Sequence, residues 1–540
     1  MNATRGLGTT TLGATVANTF TQTPTTTATG LTLNVTANTA AVTKYWTGLG
    51  GTKTEWSTPA NWNGSLLPLA TDTIYIGSVA TPVVTTGDQV GSTLTCDANF
   101  AVSGGSLTVS GATVIRGSTT ISGGSFTQNG SSTLGAVTVS GGTLTQNAIS
   151  TLNTLTLSSG TFRQTAASDL NAVNMSGGTL ILDSLTPTHL GTLDLTGGTL
   201  SNAGTLNIGS LNVNLPNAGA ASISGAGAVN LSGTGALTKT NAGSTSPTLT
   251  IGGGKVLTNT GSLTETGYGY NNTTGSFAIL ALANGASVVN AGTWTLTGGL
   301  INAGAGATPV GFTNTGTLTT GVGTADWGGL SSAGNINVNF TNSGTVNGTV
   351  GTINLGGSGT YTHTGTFNTT AGAAINFVAG THTLSNTDAA LTGAGGFNFT
   401  GTSNTTVTGK VRSTGSLTNS STLNLNGAST LSTLNQSGGT LTLNNGAVAT
   451  DITLINISAG TMNLAGSAAQ TVSSVTLTGG TLNNAATLNI GSLNVNLPEA
   501  GSATMSGAGA INLSGTGGLI KTNAGSNTSP TLTIDGGKVL

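Results

Sequence analysis

Charge is scarce in this chain: its 540 residues include 11 Lys or Arg and 13 Asp or Glu, for a net charge of -2. No basic cluster exists to neutralise a phosphate backbone, which excludes nucleic acid as a partner, and no field of one sign steers the chain to anionic lipid. Cys96 is the only cysteine, so neither an intrachain disulfide nor a multi-cysteine metal site can form. No apolar run approaches the roughly 18 residues of a membrane-spanning helix, and Met1 to Phe20 lacks the apolar core of a signal peptide. No membrane span is expected in this chain, and any export signal is expected to lie elsewhere. Yet 36% of residues are hydrophobic, too many for a disordered polymer. A core is expected, built around an unusual 88 glycines.

What is present is repetition. Ser-Gly-Gly or a close variant recurs at Ser103, Ser122, Ser140, Ser158, Ser176 and Thr196, at spacings of 19, 18, 18, 18 and 20 residues. An apolar residue always precedes it (Val102, Ile121, Val139, Leu157, Met175, Leu195), and another follows two places after its last residue (Leu107, Phe126, Leu144, Phe162, Leu180, Leu200). Around these corners apolar and polar residues alternate, as in Leu155-Thr156-Leu157, the period of a half-buried strand. Glycine at the corner opens backbone angles closed to residues with a Cβ. Coils of about 18–20 residues suit an all-β fold, a right-handed parallel β-helix in which like residues stack over like about 4.8 Å apart. If most of the chain coils at this length, about 27 coils result. A β-sandwich array would not keep one corner in phase through six passes.

A longer repeat lies above the first. Leu195 to Pro216 returns as Leu477 to Pro498, an offset of 282, and the match runs on to Leu540. There the second copy stops where the first continues into TNTGSLTETG, so further repeat sequence is expected beyond it. Four regions follow: a Thr-rich segment or tether at 1–43, a Trp-containing cap or first module at 44–100, the first long repeat at 101–431, and the start of a second at 432–540. The copies also test for catalytic residues. Asp183 and Asp194 could be paired acid/base carboxylates of a β-helical polysaccharide-cleaving enzyme, but they become Ala465 and Thr476, and His189 becomes Thr471. Asp169 recurs as Asp451 and reads as a turn cap. His363 and His382, each within Thr-His-Thr, read as solvated outer-face residues, with no third ligand nearby in sequence. No catalytic residue, metal site or cofactor is expected.

Lys44 to Gly77 holds Trp46, Trp56 and Trp62, three of the five tryptophans. They read as aromatics covering the open end of a solenoid, or alternatively as a glycan-contact platform. The order Trp46, Trp56, Asn61-Trp62, Pro68, Asp72, Ile76, followed by Ser-Gly-Gly-Thr coils and Asn-x-Gly-Thr units at Asn290, Asn314 and Asn342, resembles bacterial autotransporter passengers and filamentous-haemagglutinin-like surface proteins. The resemblance implies a right-handed β-helix exported to the cell surface for adhesion or matrix building. The expected function is a non-enzymatic extracellular structural protein, a β-solenoid rod acting as adhesin stalk or self-assembling fibre. Its partners would be itself, as a homopolymer or lateral assembly, and glycans or a neighbouring cell surface. A β-helical carbohydrate-active enzyme and an ice-binding solenoid are the alternatives.

Overall fold

The computed structural model describes residues 21–27, 30–36, 40–78, 81–216, 218–240, 245–267, 278–306, 308–321, 333–444, 452–498, 500–522 and 529–535. Its regular structure is almost entirely strand, in a parallel β-solenoid of about 20 turns in total; Pro59–Asn61 and Asn63–Ser65 form short 3-10 turns. The chain divides into two units, Met1–Ser184 and Leu185–Leu540.

In the first unit the repeated apolar residues stack in register. Val102 pairs with Ile121, Ile121 with Val139, Val139 with Leu157 and Leu157 with Met175. A second column runs Leu107, Phe126, Leu144, Phe162, Leu180. All ten side chains are 2% exposed or less. Alternation along each strand puts one set of residues inside and its neighbours outside, and stacking repeats that choice in every coil. Gly30–Thr36 pairs antiparallel with Thr21–Thr27.

The corner explains the motif. The second glycine is left-handed in coil after coil, at φ 60 for Gly105, 63 for Gly124 and Gly142, 71 for Gly160 and 70 for Gly178. A Cβ on Gly142 would lie 2.4 Å from the Gly124 carbonyl oxygen. The first position lacks a positive φ and admits Ser159 in place of glycine.

In the second unit Leu195 pairs with Val213 and Leu200 with Ile223, continuing the same two kinds of apolar column. The coils lengthen, so that Val256 pairs with Ser287, 31 residues on, before returning to an 18-residue step at Asn404 and Thr422. These longer coils account for about 20 turns where a uniform short coil would give about 27.

Polar side chains also occupy the interior, in ladders. Gln128, Gln146 and Gln164 stack at 1% exposure or less. Gln146 Nε2 donates to Gln128 Oε1 (3.1 Å), and its own Oε1 accepts from the Ser150 hydroxyl (2.8 Å). In the second unit Asn259, Asn290, Asn314 and Asn342 form a longer run, each Nδ2 donating to the next Oδ1 at 2.8 Å. The same Nδ2 groups reach a threonine carbonyl of the next coil, as from Asn290 to Thr317 at 2.9 Å. Asn-x-Gly-Thr is thus a unit in which the amide pins one coil to the next, satisfying buried polar groups that would otherwise each cost about 1–3 kcal/mol. Lys255, 1% exposed, donates to Asn202 Oδ1 (2.7 Å) and the Gly227 carbonyl (2.5 Å), and burial lowers its pKa to about 8.

Candidate functional site

The Trp-containing segment is the first place to look for a site, because it departs from the repeat. Trp46, Trp56 and Trp62 are 8%, 0% and 1% exposed. Trp62 meets Trp46 edge-on with centroids 4.9 Å apart and Trp56 at 4.7 Å, and Trp56 reaches Phe100 at 6.0 Å. The Trp62 indole N–H donates to the Trp56 carbonyl at 2.9 Å. Asn61 holds the surrounding loops, donating to the Thr52 and Glu55 carbonyls (2.7 and 2.8 Å) and accepting from the Gly50 amide (2.8 Å). Asp72 accepts from the Val42 and Leu69 amides at 3.2 and 2.9 Å. A platform for sugar rings needs an open aromatic face. None of the three indoles offers one, and their edge-on packing is that of a small core within the first unit.

The two histidines are not where their polarity placed them. His363 and His382 are 0% and 1% exposed and stack at 5.3 Å. The Asn342 backbone N–H donates to His363 Nδ1 (3.2 Å), which leaves the proton on His363 Nε2. That Nε2 lies 3.1 Å from His382 Nδ1, and His382 Nε2 lies 2.8 Å from the Ala379 carbonyl. One consistent proton pattern results: two neutral rings, each donating from Nε2. Burial lowers both pKa values, that of His363 to about 3 with its neighbour's charge adding to the effect. The correction has a simple cause: His382 precedes the buried Leu384 by two residues, so strand alternation turns it inward.

The carboxylates weighed as catalytic are engaged singly. Asp183 accepts from Arg163 Nε at 2.6 Å, and Asp194 accepts from Asn212 Nδ2 at 2.7 Å. His189 and Asp169 are exposed, and Asp451 lies outside the described residues. A cleft of about 300 Å³ in the second unit is lined by Ile452, Thr471, Ser473, Asn489 and neighbours, with no titratable side chain among the described lining residues. Among the described residues, no group of three or more His, Cys, Asp or Glu could hold a metal ion, and no helix is long and apolar enough to cross a membrane.

One buried acid has no counterpart in the sequence reading. Glu265 is fully buried, in register with Leu237 and Leu296. Its Oε1 accepts from the Leu300 amide at 3.1 Å, while Oε2 has no hydrogen-bond partner among the described residues. Burial raises its pKa to about 8 despite that bond, so the carboxyl is mostly neutral at pH 7. Gly299 makes room for it: a Cβ there would lie 2.6 Å from the Glu265 carboxyl carbon. Neither protein-family models, curated proteins nor solved structures match this chain.

Proposed function

We propose that this protein is a non-enzymatic, extracellular structural element whose stacked coils act as a spacer, as an adhesin stalk or a component of a self-assembling surface fibre. The observation that carries this reading is the contrast between the two copies. Inward residues stay apolar and buried, with Leu180, Leu182, Leu190 and Leu195 answered by Met462, Leu464, Val472 and Leu477, all 3% exposed or less. Outward residues that could do chemistry change to Ala465, Thr476 and Thr471. A repeated scaffold without a repeated site fits a function of length and surface. Its uncharged hydroxyls and amides suit many weak contacts with like chains or glycans.

If reach is the function, whole coils should be removable. Deleting residues 140–157, one 18-residue register step, is expected to leave a folded protein with a similar melting temperature. Tethered to a cell surface, it should hold a terminal reporter closer in. Deleting residues 140–148, half that step, should unfold the first unit. A reporter distance that ignores coil number would sink the spacer reading. Release of reducing ends from a polysaccharide, lost in Asp183→Asn, would replace it with the enzyme.

A second reading has one observation behind it. Thr360, Thr381, Asn404, Thr422 and Thr440 form an exposed rank, with Thr362, Thr383, Thr406, Asn424 and Thr442 beside it. Such a grid, about 4.8 Å between coils and about 6.7 Å along each strand, is the arrangement expected of an ice-binding face. Thermal hysteresis that Thr383→Lys abolishes would establish it, and freezing curves identical to those of a control protein would discard it.

A further inference from the structure

The second unit carries another regular face, of different chemistry. From Asn335 to Asn494, nine outward positions fall in register on successive coils, and all are Asn except Thr418 and Thr476. Two residues before each runs a second column, from Ala333 through Ala374 and Gly396 to Ser492, in which only Leu454 is larger than threonine. Neither column contains a charge. Edge and face charges are the usual means by which β proteins resist pairing with copies of themselves.

The asparagines are joined along the column. Asn354 donates to Asn335 at 2.7 Å, Asn376 to Asn354 at 2.6 Å, Asn398 to Asn376 at 2.7 Å and Asn456 to Asn435 at 2.9 Å. Asn354 and Asn376 therefore each have a donor and an acceptor already satisfied, as does Asn435 through a further bond to the Thr418 hydroxyl at 3.3 Å, so covering them costs less than covering free polar groups. The threonine rank differs: no side-chain hydrogen bond joins Thr360, Thr381, Thr422 or Thr440 among the described residues, and covering those hydroxyls would leave them to find new partners. Amide ladders flanked by small side chains are the material of dry sheet-to-sheet interfaces.

We propose that the Asn335–Asn494 face docks against the same face of a second copy of the chain. Nine coils at about 4.8 Å and a four-residue strand width of about 13 Å give roughly 500 Å² per partner. Two such faces bury about 1,000 Å², at the lower limit of specific interfaces and suited to reversible association. The proposal rests on the self-assembling form of the function above and names its surface.

Sedimentation velocity across a wide concentration range tests it. The parent chain should show reversible dimers. Thr352→Lys and Gly396→Lys, which add charge outside the amide column, should weaken them at least about tenfold by placing like charges together. A Cβ at position 396 has room, 3.5 Å from that of Ala374. Thr383→Lys, on the threonine face, should leave the dimer intact, and circular dichroism melts should show all three variants folded. Thr418→Cys, at the centre of the column, should cross-link between copies on oxidation, with little background because Cys96 is fully buried. A chain that stays monomeric throughout overturns the proposal, as does association lost through Thr383→Lys alone, or glycan binding in place of self-association at the asparagine face. The spacer reading survives each of these if reach still follows coil number, and fails separately if it does not.

Discussion

Replacing Gly142 with valine is expected to destabilise the first unit by more than about 4 kcal/mol, enough to unfold it in mild urea. Two costs combine. At φ 63 the residue occupies the left-handed region, which costs a residue with a Cβ about 1–2 kcal/mol. Its Cβ would also lie 2.4 Å from the Gly124 oxygen and 2.6 Å from the Gly123 carbonyl carbon. Both are backbone atoms of the coil beneath, held by that coil's own hydrogen bonds, so neither can move aside alone. Gly64 supplies the control. It has φ 73 and nothing within 4 Å of a Cβ, so Gly64→Ala should cost only the conformational part, about 1 kcal/mol. Urea midpoints measure both, and equal midpoints for Gly142→Val and the parent would refute the stacked-corner account.

Stability should also depend on pH through two buried groups that act in opposite senses. Glu265 has its folded-state pKa raised from 4.5 to about 8. The folded chain keeps a proton that the unfolded chain releases above pH 4.5, so this contribution is complete below 4.5 and is lost as pH rises through 8. The whole effect is on the order of 4–5 kcal/mol. His363 works in the opposite direction. With its folded pKa lowered from 6.5 to about 3, the unfolded chain takes up a proton that the folded chain refuses. Stability is complete above 6.5 and declines as pH falls towards 3; His382, lowered by burial, adds in the same sense. Glu265→Gln should remove the loss of stability between pH 4.5 and 8 and spare that between 6.5 and 3, and His363→Asn should do the reverse. A decline between pH 4.5 and 8 as steep in Glu265→Gln as in the parent, with His363 replaced in both, would show that Glu265 is not the group responsible.

The solenoid and its two apolar columns could be read from the sequence because spacing and alternation agreed: Val139 and Leu144 repeat at a fixed distance from a corner only glycine can turn. The polar interior could not be read by residue type. His363, His382 and the asparagines of Asn-x-Gly-Thr look like surface residues, yet each stands two places from an inward apolar one, as Asn290 does from Val288 and Glu265 from Leu263. Alternation therefore held the answer and polarity concealed it. The 31-residue step between Val256 and Ser287 was hidden for another reason. The longer steps carry no Ser-Gly-Gly corner at a fixed spacing, so the number of turns could not be counted from the short repeat. At the tryptophans composition flagged the segment, but only packing decides between a core and a platform.

The stacking of coils also sets how the first unit answers to force. Its inter-coil bonds, such as that from the Ser140 amide to the Ile121 carbonyl at 2.9 Å, run along the stacking direction. A pull in that direction therefore loads one coil's bonds at a time. When an 18-residue coil peels away it releases about 60 Å of extended chain, where it had occupied about 4.8 Å of stack. Such a tether yields in small steps at a nearly constant load, dissipating work with each, and every freed coil has the edge of the one beneath it as a template for rewinding.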